Sequence, residues 1–202
     1  MNIKLAVLAS GRGSNFLALI KTIQQNTLKA EINTLLSDRE KAHALDIART
    51  HNIPARYIPY DKNNRQTFEE QAVKQIKKQG CDLVILAGFM RLLTPYFIRE
   101  FAHRILNIHP SLLPSFKGIH AQKQALDYGV KISGCTVHVV TEDMDSGPII
   151  GQRAVHILEE DTEETLSARI LEQEHALYPE AIQRYMKRIR KSVYSEQYCL
   201  PR

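Results

Sequence analysis

Short apolar runs alternate with amphipathic stretches along the first half of the chain. The runs at 3–9, 32–36, near 57–58 and at 83–87 have the composition of strands buried in a parallel sheet. The stretches between them carry apolar side chains at helical spacing, which predicts helices capped by Ser14 or Asn15, capped by Asp38, and spanning 66–78. This alternation predicts right-handed crossovers and hence an α/β fold, a Rossmann-like open, mostly parallel sheet with helices on both faces.

The second half of the chain follows a different pattern. Strands are predicted at 105–109, 135–141 and 152–158, and some of them are expected to pair antiparallel, so the sheet becomes mixed. Residues 163–190 predict a long C-terminal helix with a kink at Pro179, and residues 192–202 are expected to form a polar tail. Because no linker or internal repeat divides the chain, we expect one domain over residues 1–202.

Composition and charge narrow the class of protein only slightly. The 202 residues, 44% hydrophobic and 24% charged, are typical of a globular domain. The net charge of +5 suits phosphorylated metabolites, polyanionic cofactors or nucleic acids, but the basic run 187–191 has the pattern of a solvated helix end. We expect no signal peptide or membrane span, and the 3 widely spaced cysteines fit a reducing cytoplasm.

A glycine-containing loop, Ser10-Gly11-Arg12-Gly13-Ser14-Asn15, lies between the first predicted strand and the first predicted helix. Backbone N–H groups and the helix dipole at such a junction bind anions. Phe16 stands where a dinucleotide fingerprint has its third glycine, and no Gly-Lys-Ser/Thr sequence follows, so neither NAD nor ATP is predicted. The loop suits a single terminal phosphate, and a tight strand-to-helix turn is the alternative interpretation.

Asn107 and His109 lie in the stretch LNIHPSLLP at 106–114. Side chains alternate along a strand, so both are expected on one face, and Pro110 puts them at the carboxyl end, where open α/β sheets bind ligands. An Asn amide can donate to a developing oxyanion, and His transfers protons near neutral pH. The pair predicts a catalytic site, with a structural strand-end pair as the alternative.

A carboxylate near His109 would complete this set, because an ionised acid favours the imidazolium and orients it. The turn-prone loop at 141–148 offers Glu142, Asp143 and Asp145, and the residue types do not choose among the three. A solvated turn explains these acids equally well. No nucleophile elbow and no metal-ligand spacing of His occurs, so direct transfer between two bound substrates is favoured, without a metal.

Several motifs together resemble the folate-dependent formyltransferases, over residues 3 to about 178. They are Ser10-Gly11-x-Gly13-Ser14-Asn15, LAGFMR at 86–91, LNIHPSLLP at 106–114, Gly118-x-His120, Asp145-x-Gly147-Pro148 and QEHALYP at 173–179. The resemblance implies transfer of the formyl group of 10-formyltetrahydrofolate to the amine of glycinamide ribonucleotide in purine (IMP) biosynthesis. These small molecules would be the partners of a monomer or homodimer, with no nucleic acid, membrane or metal.

The resemblance also implies roles for individual residues. Asn107 and protonated His109 would stabilise the oxyanion, and Asp145 would maintain the imidazolium and assist proton movement. The other implied positions bind a substrate or support the site from behind. They are, for the ribonucleotide, Gly13, Ser14, Asn15, Arg65 and Glu174; for formyl-folate, Met90, Arg91, Leu92, Leu93, Thr141, Glu142, Asp143, Met144 and Asn107; and, behind the site, Gly118 and His120.

Three other functions share part of this pattern. Formyltetrahydrofolate hydrolase would carry an added domain at its start and methionyl-tRNA formyltransferase one after the catalytic domain, and we expect neither in this chain. A non-catalytic binder of folate or phosphorylated metabolites would not need intact Asn107, His109 and Asp145. His138 is expected to face the same region, where a structural histidine is equally consistent. The segments 115–117 and 121–122 and the acids before Asp145 depart from the family pattern, which leaves loop details open.

Overall fold

The computed structural model describes the backbone of residues 2–197 and the side chains of residues 2–189. Strands and helices alternate up to residue 128, and two strands then lead into one long helix. The strands are β1 (Ile3–Leu8), β2 (Ala30–Ser37), β3 (Ala55–Tyr57), β4 (Leu83–Leu86), β5 (Ile105–His109), β6 (Ile132–Val139) and β7 (Ile149–His156). The helices are α1 (Ser14–Gln24), α2 (His43–Thr50), α3 (Arg65–Lys78), α4 (Pro95–Glu100), α5 (Ala121–Tyr128) and α6 (Glu163–Gln197).

A single sheet contains these seven strands in the order β3-β2-β1-β4-β5-β6-β7. Strands β1 to β5 pair in parallel, whereas β5 with β6 and β6 with β7 pair antiparallel. The predicted Rossmann-like sheet with a mixed C-terminal half is therefore confirmed. The carboxyl ends of β1, β4 and β5 lie side by side, since Leu8 pairs with Leu86 and Leu86 pairs with Asn107.

Two hydrophobic layers cover the sheet, one on each face. Leu5, Val7, Leu106 and Ile108 pack into one layer with residues of α1, α2 and α6. The alternate positions along the same strands, together with residues of α3 and α4, form the other layer. Because β1 and β4 are covered on both faces, they are almost uniformly apolar, as expected for parallel strands in an α/β fold.

The two predicted helix caps are wrong, and tertiary contacts explain both errors. Helix α1 starts at Ser14 after Gly13, whose φ is 75°, and the Asn15 amide bonds to Glu174 instead of capping. Helix α2 starts at His43, and the carboxylate of Asp38 accepts a hydrogen bond from Arg91. In both cases a residue distant in the sequence forms a hydrogen bond with the side chain that was predicted to cap the helix.

Other boundaries also differ from the predictions. Strands β6 and β7 each begin three residues earlier than predicted, and the short helices α4 and α5 were not predicted. Helix α6 passes through Pro179 and continues beyond residue 190 to Gln197, because its last segment, KSVYSEQ, contains no glycine or proline. Helix α6 thus includes part of the expected tail, and residues 198–202 lie outside the described residues.

Within residues 2–197, none of the helices combines the length and apolarity that a membrane crossing needs.

Candidate active site

Three loops meet at the carboxyl edge of the sheet. They follow β1, β4 and β5, and hydrogen bonds join the first two directly. The Ser10 N–H donates to the Gly88 carbonyl over 3.1 Å, and the Met90 N–H donates to Ser10 Oγ over 2.9 Å. The loop that contains the predicted phosphate anchors is thus tied to the loop that contains the predicted folate contacts.

His109 lies at the end of β5, and its ring is buried. Its Nε2 atom lies 2.8 Å from the Phe116 carbonyl oxygen, and its Nδ1 atom lies 3.5 Å from Asp145 Oδ2. A carbonyl oxygen only accepts, so Nε2 carries a proton. Both ring nitrogens therefore face oxygen acceptors.

Of the three acids in the loop at 141–148, Asp145 is the one that contacts His109. Glu142 and Asp143 are exposed, and Glu142 lies 3.9 Å from Arg99 Nη1. Asp145 Oδ2 also accepts the Gly118 N–H over 2.9 Å, so Gly118 contacts this carboxylate directly. The acid that residue types alone left undetermined is fixed by these contacts.

The pKa of Asp145 reflects this environment. Burial acts to raise the pKa, but the His138 ring, the Gly118 N–H and the charge of His109 together lower it from 3.8 to about 2. Asp145 is therefore ionised throughout the neutral range. Its backbone is left-handed, with φ at 49°, and this unusual conformation turns the carboxylate toward the two histidines.

Asn107 shares one strand face with His109, as predicted from strand alternation. In the antiparallel ladder it lies opposite His138, and its Nδ2 atom is 3.2 Å from His138 Nε2. The same Nε2 atom lies 3.5 Å from Asp145 Oδ1. Asn107, His109, Asp145 and His138 therefore form one connected cluster, and His138 lies in the region that it was expected to face.

The Asp145 loop returns to the sheet through Gly147. A Cβ atom at this position would lie 1.9 Å from the Val139 carbonyl oxygen, so any other residue would displace the backbone. The Val139 N–H donates to the Pro148 carbonyl over 2.9 Å, which closes the loop against β6. Glycine at 147 is thus required for the position of Asp145.

The predicted phosphate side contains a buried carboxylate. Asn15 Nδ2 donates to Glu174 Oε2 over 2.7 Å, and Glu174 is 7% exposed. Burial raises the pKa of Glu174, and the hydrogen bond from Asn15 acts against this rise. Gly13 and Ser14 come immediately before Asn15 at the start of α1, so the loop, the helix terminus and α6 meet at one point.

The predicted folate side presents exposed apolar side chains on a braced loop. Met90 is 65% exposed and Leu92 is 60% exposed, whereas Leu93 packs against the core. Arg91 Nε donates to the buried Asp38 over 2.6 Å, and its guanidinium lies 4.4 Å from the centre of the Tyr60 ring. On the neighbouring loop Met144 is 51% exposed and lies close to Gly118, and Thr141 is partly buried. Exposed apolar groups beside backbone donors and acceptors suit a flat heterocycle.

Three buried polar residues that brace this loop were missed by sequence reasoning. Ser10 accepts from the Met90 N–H, Asp38 accepts from Arg91, and Glu69 accepts from the Thr94 N–H over 2.7 Å. Each is at most 5% exposed. Their partners lie 80, 53 and 25 residues away in the sequence, so no local pattern indicates the contacts.

Arg65 and His120, both predicted at or behind the site, make no hydrogen bond to Asn107, His109, Asp145 or His138 within the described part of the chain. Arg65 is exposed at the first position of α3. His120 was expected behind the site, but its side chain is 67% exposed and its Nδ1 atom lies 3.6 Å from Glu163. The reason is local, since the chain turns at His120 into α5 with φ at 55° and the ring lies beside the start of α6.

Residues 2–197 contain no group of three or more His, Cys, Asp or Glu side chains arranged to hold a metal ion.

Comparison with known proteins shows which family has this arrangement. A family model described as formyl transferase matches residues 3–182. The chain belongs to this family. The match includes β1 to β7 and the first part of α6, and therefore the whole of the cluster around His109.

Individual relatives agree with the family assignment. The chain is 41% identical over 184 residues to phosphoribosylglycinamide formyltransferase of Bacillus subtilis (strain 168), covering 91% of this chain and 94% of that protein. It is 45% identical over 181 residues to the trifunctional purine biosynthetic protein adenosine-3 of Bos taurus, of which it spans 18% of the length. The crystal structure of glycinamide ribonucleotide transformylase 1 from Symbiobacterium toebii aligns with a TM-score of 0.87 and 44% identity, covering 90% of this chain and 86% of that one.

Proposed function

We propose that the protein transfers the formyl group of 10-formyltetrahydrofolate to the amine of glycinamide ribonucleotide, a step of purine biosynthesis. The observation that carries this proposal is the His109 ring, whose two nitrogens both face oxygen acceptors beside the neutral donor Asn107. A cationic and a neutral donor on one strand face suit an oxyanion that develops from a formyl group. The names of the Bacillus subtilis and Symbiobacterium toebii relatives support formyl transfer to this ribonucleotide.

The reaction begins when the lone pair of the substrate amine attacks the formyl carbon. A new C–N bond forms, and the formyl oxygen takes the negative charge. Asn107 Nδ2–H and His109 Nε2–H stabilise that oxygen. Because the Phe116 carbonyl now accepts the Nε2–H, the formyl oxygen replaces it when the substrates bind.

Asp145 performs two tasks in this reaction. Its charge stabilises the His109 imidazolium, and it accepts the proton that the attacking nitrogen loses, directly or through a water molecule. The tetrahedral carbon then releases the folate nitrogen, and this nitrogen takes up the proton. The products are the formylated ribonucleotide and tetrahydrofolate, with no net change in protons or electrons.

The two sides of the carboxyl edge bind the two substrates. Gly13, Ser14 and Asn15 hold the phosphate with backbone and side-chain donors, and the buried Glu174 binds the sugar or amine end, with Arg65 as a further contact. Residues 90–93 and 141–144, together with Asn107, line the folate pocket. We propose that these small molecules are the partners of a cytoplasmic monomer or homodimer and that the reaction uses no metal.

The experiment that tests this function measures formyl-folate consumption with and without glycinamide ribonucleotide. We expect consumption only when the ribonucleotide is present, and its loss in His109→Gln but not in His43→Gln, whose side chain is 68% exposed. Equal consumption without the ribonucleotide would show a hydrolase instead. No consumption under either condition would indicate a non-catalytic binder.

A further inference from the structure

His138 faces the reaction cluster from the strand next to the catalytic one. It lies on β6 directly opposite Asn107, and it is 2% exposed. The register between β6 and β7 shifts here, because Val137 pairs with Gly151 and His138 pairs with Ile149, so the extra residue, Ile150, lies on β7 and β6 stays regular at His138.

The hydrogen bonds of the ring define where its proton lies. His138 Nδ1 is 3.1 Å from the Val139 carbonyl oxygen, which only accepts, so Nδ1 carries a proton. Nε2 is 3.2 Å from Asn107 Nδ2, which only donates. A neutral ring protonated at Nδ1 satisfies both contacts, because its Nε2 lone pair accepts one N–H of the amide.

One neighbour opposes this state. Asp145 Oδ1 lies 3.5 Å from Nε2 and favours a proton there, but Asp145 already interacts with the Gly118 N–H and with His109. The other charged groups of this loop and of α4 point to solvent, since Glu142 and Asp143 are exposed and Glu142 pairs with Arg99. The contact of Nε2 with the Asn107 amide, at 3.2 Å, is shorter than its contact with Asp145, at 3.5 Å.

We propose that His138 is a positioning residue that, in its neutral form, orients the Asn107 amide for catalysis. Neutral His138 accepts one amide N–H and leaves the second N–H on Nδ2 for the oxyanion. A protonated ring would instead repel the N–H group and turn the amide, so that Oδ1 replaces Nδ2 and repels the oxyanion. This proposal rests on the role of Asn107 in the proposed function, and it requires His138 neutral while His109 is charged.

The first test compares the pH dependence of three proteins. Gln at 138 has an oxygen that accepts from Asn107 but does not titrate, whereas Leu accepts nothing. We expect His138→Leu to lower kcat by about 10- to 100-fold with little change in either KM. His138→Gln should keep most of the activity, and its kcat relative to wild type should rise as the pH falls from 8 to 5.5. Because the substrate amine ionises identically in both assays, its effect on kcat cancels in this ratio. A ratio that stays constant, or Gln and Leu variants with equal kcat, would overturn the proposal.

The second test does not depend on activity. Nitrogen NMR of protein labelled in its histidine rings distinguishes the two neutral tautomers and the imidazolium, and the His138 signals are those missing from His138→Gln. We expect a neutral ring protonated at Nδ1 at pH 7.5, with His43→Gln as the control for assignment. An Nε2-protonated ring or an imidazolium would contradict the proposal. If the NMR result holds but no formyl transfer occurs, the proposed function fails while the ring assignment stands.

Discussion

The parallel and antiparallel parts of the sheet contribute different kinds of groups to one site. The loops after β1 and β4 belong to the parallel part, and they offer backbone N–H groups and apolar side chains held by Ser10, Asp38 and Glu69. The β5–β6 pair offers the titratable side chains His109 and His138 and the amide of Asn107. If the proposed function holds, this fold separates substrate positioning from proton transfer along a single edge.

Strand geometry explains the separation. Parallel strands end at one edge, where their following loops and helix termini present backbone donors to a ligand. In an antiparallel pair, residues of two strands lie directly opposite each other, and their side chains make contact. The antiparallel register of β5 and β6 brings His138 against Asn107.

The largest effect is expected from removing the charge of Asp145, which lies in the loop after β6 and contacts the β5–β6 pair. Asp145→Asn should lower kcat by about 10³-fold, because the His109 imidazolium loses its counter-charge and the proton loses its acceptor. Folate affinity, measured by equilibrium titration, should change only a few-fold. The control is Asp127→Asn, an exposed residue that pairs with Lys123. Near-normal turnover in Asp145→Asn would remove this residue from the mechanism.

The next effect concerns the phosphate side. Gly13→Ala should raise KM for the ribonucleotide more than tenfold, because φ is +75° and the new Cβ would lie 3.0 Å from Ala44 Cα, which shifts the loop. The free energy of unfolding should fall by about 1–3 kcal/mol. Gly80→Ala is the matched control, with φ at +61° and no atom within 4 Å of the new Cβ. If Gly13→Ala changes only KM for folate, the two sides have been assigned wrongly.

A smaller effect on KM is expected from a residue that supports the folate-side loop without contacting the folate. Ser10→Ala removes the acceptor of the Met90 N–H, and we expect KM for folate to rise by a few-fold, equivalent to about 1 kcal/mol, with kcat almost unchanged. Steady-state kinetics with each substrate varied in turn measures this. Ser133→Ala, also at a buried serine but on β6, should leave both KM values unchanged. A fall in kcat without any change in KM would show that positioning and chemistry are not separate here.

The smallest effect is on stability in acid. The native pKa of Asp145 is about 2, below its usual 3.8, so the native state binds fewer protons here than the unfolded chain does. This contribution to the free energy of unfolding is complete above pH 4 and is lost as the pH falls toward 2. Urea unfolding at several pH values should show a smaller acid-dependent loss in Asp145→Asn than in wild type. Parallel curves for the two proteins would contradict the lowered pKa.

Much of the fold followed from the sequence because periodicity acts locally. Apolar runs such as 83–87 correctly indicated buried parallel strands, and alternation correctly put Asn107 and His109 on one face. The short helix α4 escaped prediction because its six residues contain fewer than two turns. Helix α5 escaped prediction because the residues that it buries are two alanines, Ala121 and Ala125, which form only a weak apolar face.

The remainder of the site depends on contacts between distant residues. Asp38 and Asn15 are residue types that often cap helices. Instead they form hydrogen bonds with Arg91 and Glu174, which lie 53 and 159 residues away in the sequence. Asp145 could be chosen among three acids only through the family resemblance, since its contacts with His109 and Gly118 arise from folding of the loop. The contact of His138 with Asn107 depends on the register between β5 and β6, which the residue pattern does not specify.

The fate of the formyl carbon distinguishes formyl transfer to the ribonucleotide from hydrolysis. Formyl-folate labelled with carbon-13 in the formyl group is mixed with the protein and glycinamide ribonucleotide, and the products are followed by carbon NMR. We expect the label to leave the folate and to appear, in equal amount, in the amide of the formylated ribonucleotide. Label that appears as free formate, at a rate independent of the ribonucleotide, would contradict it.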